Sequence, residues 1–197
     1  MSTTTNSVST TIPGWTATRS LFELLRAAMG NAPKNPTELK LMLKAGELAA
    51  QALELAGKHA VPGISTLELD RIVADFIKSR GGSCPCKGYG GFPAHNCFSI
   101  NEELIHGIPS KKKILKEGDI VKIDVGAIYR GYNGDSARTF PVGRITSEAQ
   151  RLIDATKASF FAGMEKAVAG GRIGDVGSAV ENCVKTAGFS VVRSYVG

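Results

Sequence analysis

Long hydrophobic runs are missing from this sequence, and no uninterrupted apolar stretch comes near the ~20 residues of a membrane span. Cysteine is scarce too. Cys84, Cys86, Cys97 and Cys183 form one Cys-x-Cys pair and two singles, without the Cys-x-x-Cys spacing of a zinc site. No signal peptide is visible, so they read as reduced thiols in a cytosolic setting. Acidic residues number 18 against 24 basic ones, a net charge of +6 that favours acidic partners, but the positive charge is dispersed. Its one cluster, Lys111-Lys112-Lys113, reads as a solvated loop, with contact to ribosomal RNA as the alternative. Residues 1–20 hold almost nothing apolar before Trp15, which predicts disorder.

What is present is a chain of 197 residues, 43% hydrophobic and 21% charged, enough for one sizeable core. Residues 1–35 are expected to be a flexible extension, with a short amphipathic turn or two over Leu21–Ala28. Arg19 and Arg26 in an acid-poor start leave an organelle-targeting peptide as the other reading. The body begins at 36. Thr37 is a plausible helix cap, and Lys40 to Ala56 carries helical periodicity. Ser65 or Thr66 caps a second helix, Leu67–Ser79, ending at Gly81-Gly82. The pattern then recurs. Ser147 starts a helix to about Val168, and Asp175–Lys185 forms another that ends at Gly188. A shift of 107 positions carries Val61 onto Val168, Gly63 onto Gly170, Leu69 onto Val176, Val73 onto Val180, Ile77 onto Val184 and Gly81 onto Gly188. Two pseudo-equivalent halves follow, each of two helices and then strands; chance likeness of amphipathic helix pairs is the alternative.

Between the pairs lies the chemistry. In Asp119–Ile128, Val121, Ile123, Val125 and Ala127 fall on one face and Lys122, Asp124 and Gly126 on the other. A second extended run covers Tyr132 to Val142. With Tyr129-Arg130 as a two-residue loop, Asp124 and Asp135 would stand directly opposite on one side of the sheet. Like charges so placed destabilise a hairpin by up to roughly 1 kcal/mol, and a divalent cation would relieve it. The hairpin alone also permits two solvated carboxylates. Upstream, Cys86, Tyr89, Phe92 and Cys97 could line a small apolar wall suited to an unbranched side chain such as methionine, although core packing explains them equally. His106 is expected at the terminus of a strand over Phe98–Ile105; its neighbourhood to the two carboxylates suits a proton-handling role, with a structural or solvent-facing histidine as the equal alternative.

Three motifs carry a resemblance: NEELIHGIP with His106, GDIVKIDVGAIYRGYNGDSARTF with both aspartates, and the terminal GFSVVRSYVG. From about Thr37 to Gly197 the sequence resembles the type I methionine aminopeptidases. The 18 positions from His106 to Asp124 and the 11 from Asp124 to Asp135 match that family's spacing. The resemblance implies an α+β pita-bread fold: two pseudo-symmetric αα-β halves around an antiparallel sheet. It implies a hydrolase that removes the N-terminal methionine of nascent proteins with two divalent metal ions (Co, Mn, Fe or Zn). Asp124 would be a terminal ligand of one ion and Asp135 a bridging ligand. His106 would contact the scissile amide, and Cys86, Tyr89, Phe92 and Cys97 would form one wall of the methionine pocket.

The resemblance also carries a departure. A further ligating histidine, a second histidine and two glutamates of the family would follow Gly197, and His59, His95 and His106 do not replace them. Residues 36–197 are therefore expected to be a catalytic domain lacking its C-terminal part, with the second half incomplete. It would hold at most one weakly bound ion and would be poorly soluble without a partner. Expected partners are nascent-chain N-termini and the ribosome; the complete enzyme would be cytoplasmic, monomeric and free of membrane. A non-catalytic relative that binds nascent chains or the ribosome is the alternative. A prolidase- or creatinase-like enzyme is disfavoured by the short His106–Pro109 motif and the lack of a large preceding domain.

Overall fold

The computed structural model describes residues 33–193. The expected 1–35 extension, save its last three residues, and the final Ser194–Gly197 of the third motif lie outside them. Helix α1 spans Pro36–His59 and α2 Thr66–Ser79. Strands β1 (Cys97–Ile100), β2 (Ile120–Tyr129) and β3 (Tyr132–Pro141) form one antiparallel sheet in the order β1-β2-β3. Helices α3 (Ser147–Met164) and α4 (Ile173–Thr186) complete the chain.

The alternation read in β2 is the reason the core lies where it does. Val121, Ile123, Val125 and Ala127 are all fully buried. They pack on Leu48, Ala49, Ala52 and Leu53 of α1 and on Leu69, Val73 and Ile77 of α2. Each large side chain removed from water this way contributes about 1.5–3 kcal/mol. Alanines in α1 let backbones approach closely, and so do two glycines. A Cβ on Gly134 of β3 would lie 2.2 Å from the Ala45 carbonyl oxygen of α1, and one on Gly57 would lie 2.1 Å from the Phe140 ring.

Helix ends obey local rules with small corrections. Asn35, not Thr37, caps α1: its Oδ1 accepts from Thr37 N at 2.9 Å and Glu38 N at 3.0 Å, while Glu38 reaches back to Asn35 N. Ser65 caps α2 by accepting from Glu68 N, and Thr146 caps α3 by accepting from Ala149 N. Helix α3 stops at Met164, short of Val168, and α4 begins two residues before Asp175.

The internal repeat is visible in the backbone. Helices α2 and α4 are both 14 residues long and lie 107 positions apart. Each ends in the same two-bond cap. Gly81 N donates to Lys78 O and Gly82 N to Ile77 O; Gly188 N donates to Lys185 O and Phe189 N to Val184 O. Gly81 and Gly188 have φ of 77° and 86°, and Gly63 and Gly170 have 94° and 84°. These left-handed positions are ones only glycine adopts freely.

Candidate metal and substrate site

The face of β2 turned away from the helices carries Lys122, Asp124 and Gly126. The hairpin that brings Asp135 beside Asp124 is closed one residue later than the sequence suggests. Its loop is Arg130-Gly131, with φ of 48° and 85°, and Tyr129 pairs with Tyr132. A tight hairpin turn of this hand needs two consecutive positive φ values, which Tyr129-Arg130 does not adopt. Asp124 is consequently opposite Ala137, and Asp135 opposite Gly126. The expected direct opposition is corrected to a diagonal one. A shift of two preserves the face, so both carboxylates still lie on the same side. They remain in contact: burial first, and then the charge of Asp135 and a hydrogen bond shared with it, raises the Asp124 pKa above the ordinary carboxylate value, while His106 opposes the rise.

Cys97 sits directly across from Asp124 on β1. Cys86 arrives by a different route. Ser83 N donates to Ile128 O at 3.0 Å and Ile128 N to Ser83 O at 2.7 Å, so the chain after Ser83 runs back along β2. Gly126 permits this approach, since a Cβ there would lie 2.5 Å from Pro85 Cγ. Both thiols feel the aspartates. Cys97 is pushed up to about 12 by burial and then by Asp124, and Cys86 is raised by burial, Asp124 and Asp135. They are neutral, weakly polar wall material. Phe92 is half-buried, but Tyr89 is 83% exposed on a short 3-10 turn over Tyr89–Gly91. The structure thus joins Cys86 and Cys97 to the two carboxylates and leaves Tyr89 without surrounding wall.

His106 needs a correction as well. β1 ends at Ile100, and His106 lies in a returning segment rather than at a strand terminus. Gly107 holds that return against the start of β1: its carbonyl accepts from Phe98 N at 2.9 Å and its N–H donates to Ser99 Oγ at 3.0 Å. A Cβ on Gly107 would lie 2.2 Å from the Phe98 carbonyl oxygen. His106 itself has φ of 56°, a conformation that side-chain-bearing residues hold only when their surroundings impose it. His59 ends α1 with Nδ1 2.9 Å from the Leu55 carbonyl.

Sequence reasoning missed the group behind the wall. Asp70, 2% exposed, stands on the buried stripe Thr66, Leu69, Asp70, Val73, Ile77 of α2. Its Oδ1 accepts from Asn96 N at 2.9 Å and Asn96 Nδ2 at 3.0 Å; its Oδ2 accepts from His95 N at 3.3 Å and His95 Nδ1 at 3.0 Å. An acid at a core position of an amphipathic helix was the available signal.

The donor chemistry fits a hard divalent cation: two carboxylates share a face, and their mutual repulsion is what a cation removes. Among the described residues no group of three or more His, Cys, Asp or Glu side chains is placed to hold a metal ion.

Comparisons with known proteins place the chain in a family. Residues 40–197 match Peptidase_M24, metallopeptidase family M24. The chain is 52% identical over 164 residues to the methionine aminopeptidase of Clostridium acetobutylicum, which covers 83% of this chain and 66% of that protein. It is 46% identical to methionine aminopeptidase 1 of Bacillus subtilis, with the same coverage. The fold superposes on the methionine aminopeptidase of Rickettsia prowazekii with a TM-score of 0.81 and 36% identity, covering 83% of this chain and 66% of that one. The aminopeptidase P of Escherichia coli gives 0.69 and 25%, with 78% and 34% covered. These neighbours confirm the α+β pita-bread architecture. The chain spans about two thirds of the length of the curated relatives it matches. It belongs to metallopeptidase family M24.

Proposed function

We propose that this chain carries the methionine-binding wall and two carboxylate ligands of a methionine aminopeptidase, which removes the first residue of nascent polypeptides. The observation that carries the reading is the diagonal pair Asp124 and Asp135, in contact on one face of β2–β3, with Cys97 across from Asp124 and His106 within electrostatic reach. Likeness to relatives named for that activity supports it.

Asp124 and Asp135 would hold divalent metal, which when bound supplies Lewis-acid activation of the scissile carbonyl and of water. Among the described residues no third His, Cys, Asp or Glu joins them as a donor. His106, held by Gly107 against β1, presents its imidazole to the scissile amide and offers a ring N–H to a developing oxyanion. Cys86, Phe92 and Cys97 exclude water from an unbranched apolar side chain, and Tyr89 would close over it from the exposed turn. Neutral thiols suit that role, because a thiolate beside two carboxylates would add a third negative charge.

The test is Mn(II) binding followed by titration calorimetry, with release of free methionine from Met-Ala-Ser measured in parallel. Asp124→Asn and Asp135→Asn are each expected to weaken Mn(II) binding at least about tenfold, the scale for loss of even an outer-shell partner of a metal ligand. Unchanged Mn(II) affinity in both variants would overturn the metal assignment. Equal release from Leu-Ala-Ser would overturn the methionine preference.

A further inference from the structure

The loop from Cys86 to Cys97 is tied to one buried carboxylate directly at its far end and, through His95, at its near end. At its far end, Asp70 accepts four hydrogen bonds from two consecutive residues, His95 and Asn96, immediately before Cys97. At its near end, Lys87 follows Cys86, and Lys87 Nζ lies 3.4 Å from His95 Nε2. Lys87 can only donate, so Nε2 accepts, and the imidazole proton sits on Nδ1, pointing to Asp70 Oδ2 at 3.0 Å. The chain Lys87–His95–Asp70 therefore bridges the residues next to both wall cysteines.

Stability alone does not account for a carboxylate here. Asp70 lies between Leu69 and Val73 in an otherwise uncharged stripe, where an ionised group carries a desolvation cost that its hydrogen bonds must offset. The repeat-related position on α4 is Gly177, where a side chain would meet open space. What the carboxylate provides is direction. Its two oxygens fix the backbone N–H of both residue 95 and residue 96, and so the register at which β1 begins. That register places Cys97 across from Asp124.

We infer that Asp70 is the positioning residue of the substrate wall, clamping the Cys86–Cys97 loop through His95 and Asn96 so that its thiols face the carboxylate pair. The inference builds on the methionine-pocket reading, yet its decisive readout does not require that reading. Iodoacetamide labelling of each cysteine, followed by peptide mass spectrometry, measures how tightly the wall is held. Cys183 in α4 is the internal reference, because it lies in the other helix pair. Asp70→Asn keeps the size but presents an N–H group to donors. It is expected to raise the Cys97-to-Cys183 labelling ratio on the order of tenfold through local opening of the loop.

Leu69→Ala, one residue away, removes core contact without touching the clamp and separates positioning from general loosening. It should lower the melting temperature while leaving the ratio near the wild-type value. An unchanged ratio in Asp70→Asn, or an equal rise in Leu69→Ala, overturns the inference. Free L-methionine as a protecting probe is expected to slow Cys97 labelling in the wild type and in Leu69→Ala, but not in Asp70→Asn. Absence of protection in all three proteins would overturn the methionine pocket alone, and the labelling ratio would still decide the role of Asp70.

Discussion

The second helices of the two pairs, α2 and α4, are near-copies in backbone and opposites in burial. In the first, Leu69, Val73 and Ile77 are fully buried, packed with α1 against the core face of the sheet. Their counterparts Val176, Val180 and Val184 are only half-buried, and α4 has no fully buried residue. Phe160, Phe161, Met164 and Ile173 are all more than half exposed. No residue of α3 or α4 belongs to the main core. The same hydrophobic spacing thus produces a core where a sheet lies against it and a half-wet surface where none of the described strands does. Amphipathicity is a request for a partner, and the partner decides the energy.

The comparison can be broken most forcefully in its cores. Ile77→Ala removes a fully buried side chain and is expected to destabilise the protein by about 2–5 kcal/mol. Val184→Ala, at the repeat-related position, should cost less than about 1 kcal/mol because the site is already partly wet. Urea denaturation of both variants measures the difference, and equal losses would show the second pair to be as well packed as the first.

Glycines sharpen the contrast at a second level. A Cβ on Gly82 would lie 2.6 Å from Leu48 Cδ2 and 3.0 Å from Ile77 Cγ2. Gly82→Ala is therefore expected to cost roughly 1–3 kcal/mol by overpacking. The repeat places Phe189 at the equivalent point, where Arg151 stacks over its ring at 5.5 Å without a core to resist it. Phe189→Ala should change stability by no more than about 1 kcal/mol, the scale of an exposed cation–aromatic contact. Thermal denaturation of the two variants is the check.

The smallest expected effect belongs to the carboxylate pair, and its sign follows from linkage. Asp124 has a folded pKa above its unfolded one, so the folded state binds the proton more tightly. That contribution is fully present below the ordinary aspartate pKa and is lost as pH rises through the raised folded value. Above it, the metal-free protein carries an unrelieved repulsion of up to roughly 1 kcal/mol. Asp124→Asn is expected to stabilise the metal-free protein by about that amount at neutral pH and to flatten its pH profile between those two pKa values. Denaturant midpoints measured across acid and neutral pH in the presence of a chelator test this; a destabilised Asp124→Asn would overturn it.

The hairpin shows why some of the site was legible and some was not. Alternation in Asp119–Ile128 fixed which side chains share a face, because a strand has period two whatever its partner does. The register depended on which two residues accept positive φ, and Arg130 adopting 48° moved the pairing by two. That error left the face intact, since an even shift keeps parity. The strand expected over Phe98–Ile105 failed for a different reason. After Ile100, Asn101 turns with φ of 48° and its side chain binds Asp119 and Ile120 N, so the chain folds back instead of extending. Asp70 escaped notice because its role lies in contacts with residues 25 and 26 positions away.

From its sequence alone this chain determined its helices, their glycine caps, the 107-residue repeat and the common face of Asp124 and Asp135. Each follows from spacing along one element. Tertiary structure decided which helix pair is buried, how the carboxylates are offset, and that a core aspartate orders the loop beside them. Those outcomes depend on which surfaces meet and on whether each buried polar atom finds a partner, conditions set by residues far apart in the chain.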